Sequence, residues 1–325
     1  MRGDNGTLIK PYDEVIEAEQ RIRPYIKETP LEYSTYLSQL SQAQVWLKLE
    51  NLQHTGSFKL RGAMNKLLTL GEEYMKRPVV TASTGNHGAG VAFGLQALNR
   101  PGIIFVPENA APAKVDAIRR LGAETRVHGS SCLETENFAR QYAEQNGLSY
   151  ISAYNDPAVI AGQGTIGREV ARQAPRIDVL FASVGGGGLI SGMACYLKSQ
   201  LPNPLSIIGC LAENSPEMAL SVKAGKFIEW SPKPTLSDGT AGGFERDAIT
   251  FDLCRNLIDD FVLVSEEEIA DAMRRFIETH HMLIEGAAGV AIAGFLKMQE
   301  QFRNQNVVIL ICGANISLST LKTIL

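Results

Sequence analysis

The sequence predicts an α/β fold in which parallel sheets are flanked by helices. Three observations carry this. Short, nearly continuous apolar runs rich in β-branched residues alternate with longer amphipathic stretches. Glycine-rich joints sit where a run gives way to a helical pattern, and no tandem repeat or long Pro/Ser tract interrupts the alternation. The 325 residues exceed the roughly 100–200 of one ordinary domain, so two intertwined units are expected.

The elements follow in order. Residues 45–50 alternate apolar and polar side chains, which predicts a strand with one wetter face. A helical pattern starts at Lys59. Strands are expected at 79–82 and 102–106, with a helix over 89–98 between them. In 112–121, Val115, Ile118 and Leu121 recur at helical spacing and Gly122 supplies the stop. Further strands are expected at 179–184, 207–212, 261–264 and 307–312, most of them apolar enough to be covered on both faces. Ser265 and Glu268 fit a capping box and mark a helix start. The irregular stretch 230–244 reads as a loop near a functional surface.

Composition narrows the function classes. Apolar residues are 45% and charged ones 20%, which excludes a disordered polyelectrolyte. With 31 basic against 35 acidic residues the net charge is −4, unlike a nucleic-acid binder. No apolar run approaches the ~20 residues of a membrane span, and the start MRGDNGTLIKPYDEV lacks a signal peptide's apolar stretch. A cytoplasmic protein with no membrane partner is expected. Cys132, Cys195, Cys210, Cys254 and Cys312 are odd in number and never form a C-x-x-C pair. They read as reduced thiols, not as a disulfide framework or zinc site.

Four loops carry chemistry, because ligands of a parallel sheet collect beyond the carboxyl ends of its strands. Gly185-Gly186-Gly187-Gly188-Leu189 joins a strand to a helix, and backbone N–H groups at such a joint suit a phosphate. It is otherwise a tight turn. Ser83-Thr84-Gly85-Asn86-His87-Gly88 offers hydroxyls, an amide and N–H groups to a carboxylate, or simply caps the helix. Lys59, between Phe58 and Leu60 at a helix start, is either a desolvated, reactive amine or a snorkelling surface lysine. Cys312 ends the last strand, where it is either inert packing or a cavity-facing thiol. A lysine, a phosphate cradle, a carboxylate loop and a polar strand end together make the set that a phosphate-bearing aldehyde cofactor handling an amino acid requires.

At these residues the chain resembles the pyridoxal-phosphate enzymes of the tryptophan-synthase-β fold type (fold type II), and within them the serine/threonine dehydratase and serine racemase branch. The resemblance covers nearly the whole chain. It rests on Thr29-Pro30-Leu31, on Leu49 to Gln53 leading to Gly56-Ser57-Phe58-Lys59-Leu60-Arg61-Gly62-Ala63, on the Ser83–Gly88 loop, on Pro157 to Thr165, on the tetraglycine and on Cys312 to Asn315.

The resemblance implies a two-domain fold with pyridoxal 5′-phosphate in the cleft, a large domain of residues 1–76 and 155–325, and a small one of residues 77–154. By it, Lys59 is the Schiff-base lysine, Phe58 flanks the pyridine ring and Asn86 reaches its 3′-oxygen. Gly185, Gly186, Gly187, Gly188 and Leu189 bind phosphate, and Cys312 faces the ring nitrogen. Ser83, Thr84, Asn86 and His87 hold the substrate carboxylate, and Asn155 and Gly239 lie near the cofactor. The implied reaction removes water from a β-hydroxy amino acid such as L-threonine or L-serine, giving a 2-oxo acid and ammonia.

Departures shape the alternatives. Thr84 stands where racemases of the branch carry a serine hydroxyl, so it is a second candidate catalytic residue and racemisation is the nearest rival. Gly242 replaces a serine, which leaves room for bulkier substrates such as 3-hydroxyaspartate, a phenylserine or a hydroxyectoine-derived amino acid. A divalent cation (Mg or Ca) would use Glu213 and Glu217, but Ala219 takes the place of a further acidic ligand, so that site is expected to be weak or absent. The non-enzyme rival is an anion-binding scaffold. A homodimer is expected, and no C-terminal regulatory domain.

Overall fold

Two twisted sheets take up the apolar runs in the computed structural model, which describes residues 11–71, 76–110, 112–201, 204–231 and 233–325. The chain opens with α1 (Pro11–Ile22), whose Val15, Ala18 and Ile22 recur at helical spacing and are buried. The strand β1 (Leu31–Tyr33), the helix α2 (Thr35–Ser41) and β2 (Gln44–Leu49) lead to α3 (Lys59–Thr69). Next come β3 (Val79–Ala82), α4 (Asn86–Ala97), β4 (Gly102–Val106), α5 (Pro112–Arg120), β5 (Glu124–Val127), α6 (Cys132–Gln145) and β6 (Ser149–Tyr150). The helix α7 (Pro157–Gln173) precedes β7 (Val179–Ser183), α8 (Gly188–Gln200), β8 (Ser206–Ala212), α9 (Glu217–Ala224) and α10 (Ile249–Leu257). The chain closes with β9 (Asp260–Val264), α11 (Glu266–His280), α12 (Gly286–Met298), β10 (Asn306–Ile311) and α13 (Leu318–Ile324).

The larger sheet has the order β1-β2-β10-β7-β8-β9, parallel except for the edge strand β1, and the smaller has the order β5-β4-β3-β6, parallel throughout. The central strand β7 is buried at every residue, as its unbroken apolar run requires. The expected strands and helices all form, with ends moved by three residues or fewer, and Ser265 and Glu268 complete both halves of the capping box. Gly122 turns at φ +80°, the conformation its place after α5 asks for. Three short strands, β1, β5 and β6, had no apolar signature because none of their residues is fully buried. Among the described residues no helix is long and apolar enough to cross a membrane. The expectation for the N-terminus falls largely on residues 1–10, outside the described residues, as does the Cys132 side chain. The four described cysteines are free and buried.

One expectation is corrected. Residues 45–50 do not present a wet face, because Lys48 and Glu50 are both fully buried. The Lys48 ammonium donates to Glu169 Oε2 at 2.6 Å, to the Thr29 carbonyl at 2.7 Å and to Gln173 Oε1 at 2.9 Å. Alternation here marks a polar interior, where every buried charge has a counter-charge.

The helices α3 and α7 cross at glycines. A Cβ on Gly62 would stand 2.4 Å from Gln163 Nε2, and one on Gly162 would stand 2.6 Å from the Arg61 carbonyl. That close approach brings the start of α3, and with it Lys59, against the loop before α7.

Candidate active site

Lys59 is the first residue of α3, and its place is set from two sides. Ser57 bridges Gly313 beyond the end of β10, and the Phe58 N–H donates to the Cys312 carbonyl at 3.1 Å. The helix therefore starts with the Lys59 side chain at the carboxyl end of the larger sheet. Its Nζ donates to the Ala153 carbonyl at 3.0 Å and lies 5.2 Å from the centre of the Phe58 ring. Burial pushes the amine down to about 8, while Cys312, Glu285 and Glu136 pull it back up. The side chain is no snorkelling surface lysine; it lines a cavity of about 1300 Å³.

The tetraglycine lines the same cavity at the start of α8. A Cβ on Gly186 would sit 2.4 Å from the Tyr154 ring, and one on Gly187, at φ +82°, 2.7 Å from Cys254 Sγ. Only glycine fits there, so the first N–H groups of α8 stay open to a ligand. Leu189 is buried behind them. Gly187 is the N-cap and no side chain caps the helix.

Ser83, Thr84, Gly85, Asn86 and His87 line the opposite wall at the start of α4. Gly85 is the N-cap, again without a side-chain cap, which removes the capping role considered for Ser83 and Asn86. Ser83 Oγ instead accepts from the Gly85 N–H at 3.2 Å. The His87 ring is buried and neutral, since burial and the charge of Lys59 push it down to about 3. Its Nε2 donates to the Ile151 carbonyl at 3.1 Å, leaving Nδ1 as an acceptor. Any anion held here meets backbone N–H groups and hydroxyls, not an imidazolium.

The floor holds Cys312 and a residue absent from the sequence expectations, Glu285. The Cys312 thiol, pushed well up by burial and by Glu285, accepts from Ser183 Oγ at 3.7 Å and donates to Glu285 Oε1 at 3.6 Å. Glu285 is 3% exposed. Burial raises its carboxyl, and Asn86 Nδ2, 2.9 Å from both oxygens, counters that rise. Asn86 is thereby fixed between Glu285 and Asn315, whose Nδ2 donates to Asn86 Oδ1. The only hint was a lone carboxylate in the apolar stretch before Gly286.

Gly239 also lines the cavity, 3.8 Å from Glu285 Oε1 by its would-be Cβ. Asn155 stands behind the wall: its Nδ2 donates to Glu245 Oε2 at 2.7 Å and its Oδ1 accepts from the Ile249 N–H at 3.0 Å. Glu136, Arg140 and Glu245 complete the rim, with Arg140 2.7 Å from Glu245 and 3.4 Å from Glu136. Glu213 and Glu217 lie elsewhere. Glu213 is half-exposed beside Lys297 at 3.8 Å, whereas Glu217 is buried and accepts from Ser215 Oγ at 2.8 Å. Among the described residues no three His, Cys, Asp or Glu converge as a metal site, and two carboxylates fall short of the about six oxygens a hard cation wants.

The family described as pyridoxal-phosphate dependent enzyme matches residues 22–313. An L-threonine ammonia-lyase of Thermotoga maritima is 40% identical over 313 residues, spanning 96% of this chain and 77% of that one. The processed form of threonine deaminase isoform 2 from Solanum lycopersicum superposes with a TM-score of 0.92 at 35% identity, over 98% of this chain and 93% of that one. Maize serine racemase superposes with a TM-score of 0.90 at 31% identity, over 96% and 95%.

Proposed function

The chain belongs to the pyridoxal-phosphate-dependent enzymes, and from that premise we propose that it is an ammonia-lyase converting L-threonine or L-serine to a 2-oxo acid and ammonia. The observation that carries the reading is a lysine amine lowered to about 8 in the same cavity as a glycine-built helix N-terminus. The residues present fit the cofactor: the tetraglycine cradle admits no Cβ, and the buried lysine beyond the carboxyl end of β10 lines the same cavity.

Lys59 Nζ would hold the cofactor by its aldehyde carbon. The N–H groups of Gly185, Gly186, Gly187, Gly188 and Leu189 would hold its phosphate, and Phe58 and Gly239 its faces. Asn86 would meet the 3′-oxygen and Cys312 the ring nitrogen. When bound, pyridoxal phosphate supplies the electron sink for charge left on an amino acid's Cα. The protein does the rest. Ser83, Thr84 and the start of α4 orient the substrate carboxylate, with His87 neutral behind them. Lys59 Nζ, lowered by burial, is basic enough to accept the Cα proton yet neutral in good part near its pKa of about 8. Cys312 keeps its proton, so the ring nitrogen would face a weak donor and not a charge. Thr84, a hydroxyl-bearing residue in the same cavity, supports a second reading in which the enzyme also racemises. The same family membership supports a cytoplasmic homodimer.

Lys59→Ala is expected to lower 2-oxo acid release from L-threonine by at least about 10³-fold, while the variant still binds cofactor reversibly. Turnover at the wild-type rate would contradict the proposal.

A further inference from the structure

Arg61 lies two residues past Lys59, in the same first turn of α3, and its own N–H donates to the Phe58 carbonyl at 3.0 Å. Two residues along a helix turn through roughly 200°, so Arg61 points away from the cavity that Lys59 faces. There its guanidinium is fully buried and saturated. Nε and Nη2 donate to the two Glu50 oxygens, both at 2.8 Å. Nη1 and Nη2 donate to the two Glu169 oxygens, also at 2.8 Å, and Nη1 reaches Thr165 Oγ1 at 3.2 Å. Two bidentate forks, one on each side of one guanidinium, fix the helix against the end of β2 and against α7.

The ring of partners is closed. Thr29 Oγ1 donates to Glu50 Oε1, and Lys48 Nζ and Arg23 Nη2 donate to Glu169. Two buried cations, Arg61 and Lys48, stand against two buried anions, Glu50 and Glu169. Burial pushes the Glu169 carboxyl up, but Arg61 and Lys48 together bring it down to about 2, so it is ionised.

Such a cluster is a poor device for stability. Removing two charges from water costs about as much as the pair returns, and apolar residues of equal volume do as well or better. What apolar packing lacks is direction, whereas a planar fork with two acceptors admits one orientation. We infer that Arg61 is a positioning residue for Lys59: clamped by Glu50 and Glu169, it sets the rotation of the first turn of α3 and so holds the Lys59 amine at the Ala153 carbonyl.

The inference rests on Lys59 being the amine that carries the chemistry, and the test separates the two. Arg61→Lys keeps the charge and loses the fork. Glu50→Gln keeps Arg61 and its fork to Glu169 and weakens the other. In the holoenzyme, kcat for L-threonine is expected to fall at least about 30-fold in Arg61→Lys, since a displacement near 1 Å costs about a hundredfold. KM is expected to change less than about threefold, the sign of lost orientation and not lost binding. In the apoprotein, the pH dependence of Lys59 labelling by an amine reagent, located by peptide mass, is expected to rise from about 8 toward that of an ordinary lysine. Glu50→Gln is expected to show the same changes at smaller size.

Variants that melt earlier but keep kcat within about twofold and an unmoved labelling curve would overturn the inference. A loss of kcat with an unmoved curve overturns it too, because the amine has then not moved. Should Arg61→Lys not fold, Glu50→Gln decides by the same readings. Full turnover in Lys59→Ala would sink the proposed function instead.

Discussion

At Thr84 a single hydroxyl separates two outcomes for the same substrate. Lyase chemistry needs one base on one face of Cα, the role we propose for Lys59, while inversion needs a proton donor on the other. Thr84 shares the cavity with Lys59, but its β-branch restricts χ1, so we expect elimination to dominate. Thr84→Ala is expected to leave 2-oxo acid release within about threefold of wild type and to abolish any solvent deuterium in recovered substrate of inverted configuration. A tenfold or greater loss of 2-oxo acid would instead make Thr84 part of the lyase machinery. Lys59 was legible as a residue because its neighbours form a motif. Glu285 was not, because its partners Asn86, Cys312 and Asn315 come from distant parts of the chain. Lys48 was misread for the same reason: Glu169, which buries it, is 121 residues away.

Among the helices, several that start at the cavity wall lack a side-chain cap. The helices α3, α4, α8 and α12 begin there without a side-chain cap, as α9 and α10 do away from it, whereas α2, α6, α7, α11 and α13 are capped by Ser34, Ser131, Asp156, Ser265 and Ser317. An uncapped N-terminus keeps N–H groups and partial positive charge for a ligand. At α8 the arrangement depends on the missing Cβ of Gly186. Gly186→Ala must move the Tyr154 ring or the loop, an overpacking strain of about 1–3 kcal/mol, and each 1.4 kcal/mol is about tenfold in affinity. The variant is expected to bind pyridoxal phosphate about tenfold or more weakly by equilibrium dialysis, and unchanged affinity would remove the phosphate from this cradle. The strands that could be read from sequence are those covered on both faces, such as β7 and β10, where burial forces an apolar run. In β1 and β5, three or four residues long and without a fully buried residue, no apolar run marks the strand.

For the whole molecule, we propose that residues 77–154 form a smaller domain around the four-stranded sheet and that 1–76 and 155–325 form the larger. The helix α3 joins them, since its Ala63 and Leu67 pack in the core of the smaller sheet while Lys59 sits at the end of the larger. Side chains meet across the cleft: Asn86 with Glu285, Lys114 with Asp238 at 2.8 Å, and Arg140 with Glu245 at 2.7 Å. The cavity lies between these contacts, and Lys59 and the starts of α4 and α8 line it. The most direct test is the visible absorption of the purified protein with pyridoxal phosphate, followed as L-threonine is added and 2-oxo acid is assayed in the same cuvette. A band from lysine-bound cofactor that shifts as 2-oxo acid accumulates is the predicted result. A protein that takes up no cofactor, or a band that L-threonine and L-serine leave unmoved with no 2-oxo acid formed, would contradict it.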